Sequence, residues 1–281
     1  MKKYFNFNNQ KGKIKQKYFF LYFELIIVLL KISFVDLISL KTKRKLNNYH
    51  SEIKLVIQVS EFGDWSHNIN ILNDGFNTVP NEVLVNGEIR DDCNKKCKLT
   101  NGQYNITLRF DTQINSCYEM FYSLDNIIEI DLSNFDASKV DDMYSMFADC
   151  KKLKKINFGN INTSSVENMN SLFYGSSSLT SIDLSNLDIS NVKIMRKMFY
   201  GCSSLEKINF GNINTSSVEN MEYLFYGCSN LISIDLTNFD TSNVKTMEAM
   251  FCYCNKLKYL DLSNFNTQKV TTIKYMFYYC G

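Results

Sequence analysis

Apolar residues recur in a fixed order along the second half of the chain. One group sits at i, i+3 and i+5, as in Leu153, Ile156 and Phe158, or Leu205, Ile208 and Phe210. The last two of each group alternate, as one face of a short β-strand does. A second group follows at i, i+3, i+6 and i+7, for example Val244, Met247, Met250 and Phe251. That spacing gathers four side chains on one face of a short helix. Ser138, Ser164, Ser190, Ser216 and Ser242 each stand two residues before a Val, and Ser164 with Glu167 and Ser216 with Glu219 fit the capping box that opens a helix. The pattern therefore predicts one short strand plus one short helix per cycle.

The cycle is 26 residues long and is written six times without insertion or deletion. Stepping by 26 lands on Asn134, Asn160, Asn186, Asn212, Asn238 and Asn264, and on Phe147, Phe173, Phe199, Phe225, Phe251 and Phe277. A fixed period of this length marks a solenoid whose coils bury their apolar sides only by stacking. The expected fold is an α/β repeat solenoid, leucine-rich-repeat-like, over 124–281. The Met-aromatic stripe is read as core. The stacked Asn is read as structural, its side chain bonding the backbone of neighbouring corners. Between the strand apolar positions lies a polar ladder, Asp131, Asn157, Asp183, Asn209, Asp235 and Asp261. Through the first five coils its alternation of Asp with Asn relieves like-charge repulsion, and only Asp235 and Asp261 face each other charged. It is read as a solvated sheet face, with a ligand or cation site as the alternative. A longer period is visible too: Ile156–Met169 and Ile208–Met221 are identical and lie 52 residues apart, so two coil types alternate.

Before the repeats, Ile53–Val59 alternates as a half-buried strand, Pro80–Gly87 reads as a strand ending in an Asn-Gly turn, and Asn105–Phe110 reads as a third strand. Phe110–Ile114 and Met120-Phe121 echo repeat motifs. Residues 49–123 are thus expected to be a β-rich N-terminal cap with a degenerate first coil. Residues 1–48 differ. Six Lys in the first 17 residues precede an apolar run from Tyr18 to Leu30 broken only by Glu24, which is how a signal peptide or signal anchor looks.

Composition narrows the function. A net charge of +2, with the basic excess in the first 45 residues, argues against a nucleic-acid partner. Two His, neither beside a Cys or Ser at a recognisable spacing, and carboxylates spread in ladders argue against catalysis. No cofactor or metal set is expected. Cys93 and Cys97 are read as a small disulfide rather than half a zinc site. Cys150, Cys202, Cys228, Cys254 and Cys280 recur with the repeat, with Ser176 in the gap, and are read as buried thiols. Cys252, off that ladder, is the expected reactive thiol. Asn105, Asn162 and Asn214 head N-x-S/T sequons and are candidate glycosylation sites.

The string D-L-S-N-F-D-x-S-x-V-x-x-M-x-x-M-F-x-x-C, standing at Asp131–Cys150 and nearly repeated at Asp235–Cys254, resembles the 26-residue surface-protein repeat of the BspA-like leucine-rich-repeat group. The departures are Gly159 and Gly211 for Ser, Asn162, Asn214 and Asn266 for Asp, and Ser176 for Cys. The resemblance implies a secreted or surface-attached protein linked to adhesion, with no active site. The expectation is a non-enzymatic interaction protein at the cell surface or outside the cell, its N-terminal segment either a cleaved signal or a membrane anchor, with a protein or glycan as partner. Edge-to-edge self-association into a surface coat, and an intracellular scaffold, are the alternatives.

Overall fold

The computed structural model describes residues 49–60 and 66–280. The chain divides into two units, Met1–Asn48 and Tyr49–Gly281. The described residues lie in the second, so the expected targeting segment at 1–48 falls outside them.

The expected strand-plus-helix coil is not what forms. Among the described residues there is no helix, and the regular elements are ten strands. An α/β fold is therefore overturned in favour of an all-β one. Six strands make the main sheet, in the order β4 (Glu88–Ile89), β3 (Glu82–Val85), β6 (Gly102–Phe110), β1 (Ser51–Val59), β7 (Ile127–Asn134) and β8 (Lys155–Asn157). β9 (Ser181–Asp183) pairs in parallel with β10 (Lys207–Asn209), and β2 (His67–Asn70) pairs with β5 (Lys96–Leu99). β1, β3 and β6 occupy the three stretches whose alternation predicts strands. One face of β1 and β6 is largely apolar: Ile53 is opposite Leu108 and Leu55 opposite Ile106, all buried, with Ile57 and Phe110 buried on the same face.

What replaces the helix is a second ladder. Ser116, Asp142, Asn168, Ile194, Asn220, Thr246 and Thr272 bridge one another in parallel, each to the residue 26 positions on. Downstream of each bridge, alternate amides donate to the next 26-residue coil. Met143, Ser145, Phe147 and Asp149 donate to the carbonyls of Asn168, Asn170, Leu172 and Tyr174, and the same four rungs recur up to Tyr253, at 2.6–3.1 Å. A helix would aim each N–H at its own carbonyl four residues back. Two residues in each of these stretches instead adopt positive φ, four positions apart: Ser145 and Asp149, Lys197 and Gly201, Tyr223 and Gly227. Each left-handed residue turns its peptide so that the N–H faces the neighbouring coil. The conformation costs roughly 1–2 kcal/mol for a residue with a Cβ. It leaves the interior backbone satisfied, which an isolated turn of this apolar stretch would not.

The rungs bring equivalent side chains into contact. Phe121, Phe147, Phe173, Phe199, Phe225 and Phe251 are fully buried and stack ring on ring, at 5.4–5.8 Å between centroids. Each such pair adds about 0.5–1.5 kcal/mol beyond the apolar area it buries.

The strand side of the stack is discontinuous. Lys154 donates to Ile128, Glu206 to Thr180 and Lys258 to Ile232, which joins coils in twos. Among the described residues, Thr180 and Ile232 make no equivalent bond to the coil before them. Side chains span those junctions. Asn186 donates to the Gly159 carbonyl at 2.9 Å and Asn238 to that of Gly211 at 2.8 Å. Buried Thr163 and Thr215 donate to the carbonyls of Asp188 and Asp240. The two-type alternation along the chain is thus a physical pairing of coils.

A Cβ added at Gly201 would meet nothing closer than 3.8 Å, so a substitution there tests backbone conformation alone. Gly201→Ala is expected to lower stability by about 0.5–1 kcal/mol, and Ser123→Gly, at an equivalent positive φ, to raise it by a similar amount. Urea midpoints of the two variants check both signs.

Candidate functional site

The polar ladder of the sheet corner shapes the backbone. The side-chain oxygens of Asp131, Asn157, Asp183, Asn209, Asp235 and Asp261 each accept the amide two residues on, closing an Asx turn. Asn157 also donates to Asp131 at 3.0 Å and Asn209 to Asp183 at 3.1 Å. The alternation is an amide laid against a carboxylate within the first two coil pairs, whereas the third pairs Asp235 with Asp261. Of the Asn ladder, Asn186, Asn238 and Asn264 bond neighbouring carbonyls. Asn134, Asn160 and Asn212 stand exposed and make no side-chain hydrogen bond among the described residues.

Asn162 and Asn214 are exposed, and each accepts the amide two residues on, from Ser164 and Ser216. Asn105 is exposed on β6. The capping boxes do not form, since there is no helix to cap, and Glu167 pairs with Lys193 of the next coil instead, at 2.7 Å. Cys93 and Cys97 are joined as a disulfide. The thiols of Cys150, Cys202, Cys228 and Cys254 are buried and donate to the carbonyls of Phe121, Phe173, Phe199 and Phe225. Ser176 does the same to Phe147, which explains how a hydroxyl fills the gap in the row. Cys252 is buried too, and burial together with Cys280 raises its thiol, which disfavours the thiolate a reactive cysteine needs. No group of three or more metal-ligating side chains occurs among the described residues.

Two surface features stand out that the sequence reading missed. The first is a tyrosine ridge. Tyr174, Tyr200 and Tyr226 stack at 4.8 and 4.4 Å, and Tyr253 and Tyr279 continue at 5.1 Å. Lys197 lies 5.7 Å from the rings of both Tyr200 and Tyr223, and burial and the Arg196 charge lower its ammonium. Arg196 lies over Tyr223 and pairs with Glu222 at 3.0 Å, while the Tyr223 hydroxyl donates to Glu248. The signal was legible as Tyr at 26-residue steps next to the core Phe. The second is a groove of about 320 Å³ on the solvent face of β6, β1, β7 and β8. One cross-strand row in it is Thr107, Lys54, Asp131 and Asn157; the next is Asn105, Val56, Glu129 and Lys155. Burial pushes the Asp131 carboxyl up, but the Ser133 amide and hydroxyl, Lys54 and Asn157 outweigh it and hold it below the usual carboxylate range.

Residues 115–209 and 202–281 match the family profile described as Mycoplasma protein of unknown function, DUF285. No curated protein and no solved structure matches the chain.

Burial also sets an alkaline limit on the stack. It pushes the thiols of Cys150 and Cys254 up to about 12 and raises Cys117, Cys202 and Cys228 as well. An unfolded thiol ionises near 8.5, so the unfolded chain loses these protons first. Their contribution is therefore complete below about pH 8.5 and is lost as pH rises toward the folded values. The urea midpoint is expected to fall across that window, and to fall less steeply in Cys150→Ser, which keeps the bond that Ser176 makes.

Proposed function

The match covers more than half of the chain, so the chain belongs to the DUF285 family, and we propose that it is a non-enzymatic interaction protein of the cell surface or exterior. Its partner is a protein or glycan on another surface. The observation that carries this reading is the tyrosine ridge with Arg196 and Lys197. Tyrosine and arginine supply a large share of binding energy at protein interfaces, because a stiff ring with a polar tip loses little entropy on contact. The stacked rings are held in place before any partner arrives, which lowers the ordering cost further. The expected BspA-like kinship and the expected N-terminal signal or anchor point the same way.

Two measurements test it. A membrane-impermeant amine reagent applied to intact cells is expected to label exposed Lys154 and Lys207; labelling only after lysis would remove the surface location. Beads coated with the full chain are expected to adhere to a mucin-coated surface. The paired change Tyr200→Ser with Tyr226→Ser is expected to cut adhesion about tenfold or more, the loss of a hot spot worth about 2 kcal/mol. Equal adhesion of the variant would discard the ridge.

A further inference from the structure

The groove on the main sheet has features that a plain strand surface lacks. β1 and β7 do not run in simple register: the pairing shifts between Glu52 and Lys54 and again between Val56 and Ile57. Bulges of this kind bend a strand, increase its local twist and re-aim side chains. Here they bracket Lys54 and Val56, the two β1 side chains on the groove face, and the bent face is concave there. The elements that meet are distant along the chain, because β1 lies between β6 and β7 only through long-range pairing.

The chemistry of the lining is balanced. Lys54 and Lys155 contribute two positive charges, Glu129 and Asp131 two negative ones, so neither sign dominates. Lys54 spends part of its charge on Glu52 at 3.4 Å, and Asp131 is engaged by Asn157 at 3.0 Å. Amide donors and acceptors of Asn105 and Asn157 and the Thr107 hydroxyl fill the space between the charges. Val56 is the apolar side chain among them, half-buried in the middle of the floor. A strongly anionic ligand would meet two carboxylates, and a cationic one two ammonium groups. A molecule bearing hydroxyls that both donate and accept, with C–H surface for Val56, satisfies every position. The volume matches the lower end of small-molecule sites.

We infer that the groove between β6, β1, β7 and β8 is a binding site for a neutral saccharide of one or two hexose units. Lys54, Asp131, Glu129 and Lys155 hold its hydroxyls, and Val56 lies under its ring. The site is separate from the tyrosine ridge and goes beyond the adhesive reading: it names a ligand class and a second place on the molecule. It also has a built-in competitor. Asn105, a sequon asparagine, lines the groove, so a glycan attached there would block it.

The test is isothermal titration calorimetry on the full chain made in a bacterium without N-glycosylation. The probes are lactose and cellobiose as neutral saccharides, 3′-sialyllactose as an acidic one, and the glucosamine disaccharide of chitosan as a basic one. At least one neutral disaccharide is expected to bind with millimolar or tighter affinity and the charged ones about tenfold more weakly. Asp131→Asn keeps the Asx turn, as Asn157 and Asn209 show, and Lys54→Met keeps the aliphatic stem; each is expected to weaken binding about tenfold. Lys155→Met serves if either fails to fold. The tyrosine double variant is expected to titrate unchanged, which separates this site's failure from that of the ridge. Absence of heat with both neutral sugars, equal affinity for the charged ones, or indifference to the groove variants would overturn the assignment.

Discussion

The backbone rungs between coils are the constraint from which the rest of the structure follows. Each apolar stretch must bury its amides as well as its side chains, and a buried amide without a partner costs about 1–3 kcal/mol. A lone helix would solve this within one coil. Sending alternate amides to the next coil solves it between coils, and it fixes the distance and rotation from one to the next. Once that step is fixed, phenylalanine must fall on phenylalanine and cysteine beneath the carbonyl of the coil before. The left-handed residues are the local cost of the arrangement, and glycine relieves it at Gly175, Gly201 and Gly227.

The corners follow a different rule. Strand bonds join coils only in twos, so the side chains take over at the remaining junctions. Asn186 and Asn238 bond the left-handed glycines of the preceding coil, and a Cβ at Gly159 or Gly211 would come within 2.7 Å of Ser133 or 2.6 Å of Ser185. Glycine at those two corners is required by the close approach of Ser133 and Ser185 as well as favoured by φ, whereas at Gly201 only φ favours it. One face of the stack is bound by main chain at every step; on the other, side chains span the junctions between pairs, and Asn264 and Thr241 reinforce the main-chain bond within the last pair.

Much of this could be read from the residues. The period, the buried Phe and Met stripe and the three strands before the repeats follow from spacing and side-chain chemistry, whereas the Asp and Asn of the polar ladder, read as a solvated sheet face, close Asx turns. The helix was the error, and its cause is specific. Apolar residues at i, i+3, i+6 and i+7 suit one helical face, but a series of tight turns that alternates right- and left-handed residues puts the same four positions inside. Glycine would have betrayed those turns, yet Lys197, Tyr223, Ala249 and Tyr275 hold the positive φ without it. The groove was illegible for another reason: Lys54 meets Asp131 through a strand register that no local pattern encodes.

The pairing of coils bears on how such a chain can change length. The identical strings Ile156–Met169 and Ile208–Met221 are natural sites for unequal exchange between copies of the gene, and each event would add or delete 52 residues. That is one complete pair. Every Asn would keep its Asp, every side-chain clamp its carbonyl, and the ridge would lengthen or shorten by whole tyrosine steps. Copy number could drift without a folding penalty at the new junction, leaving the reach of the molecule open to selection while its cap and groove stay the same.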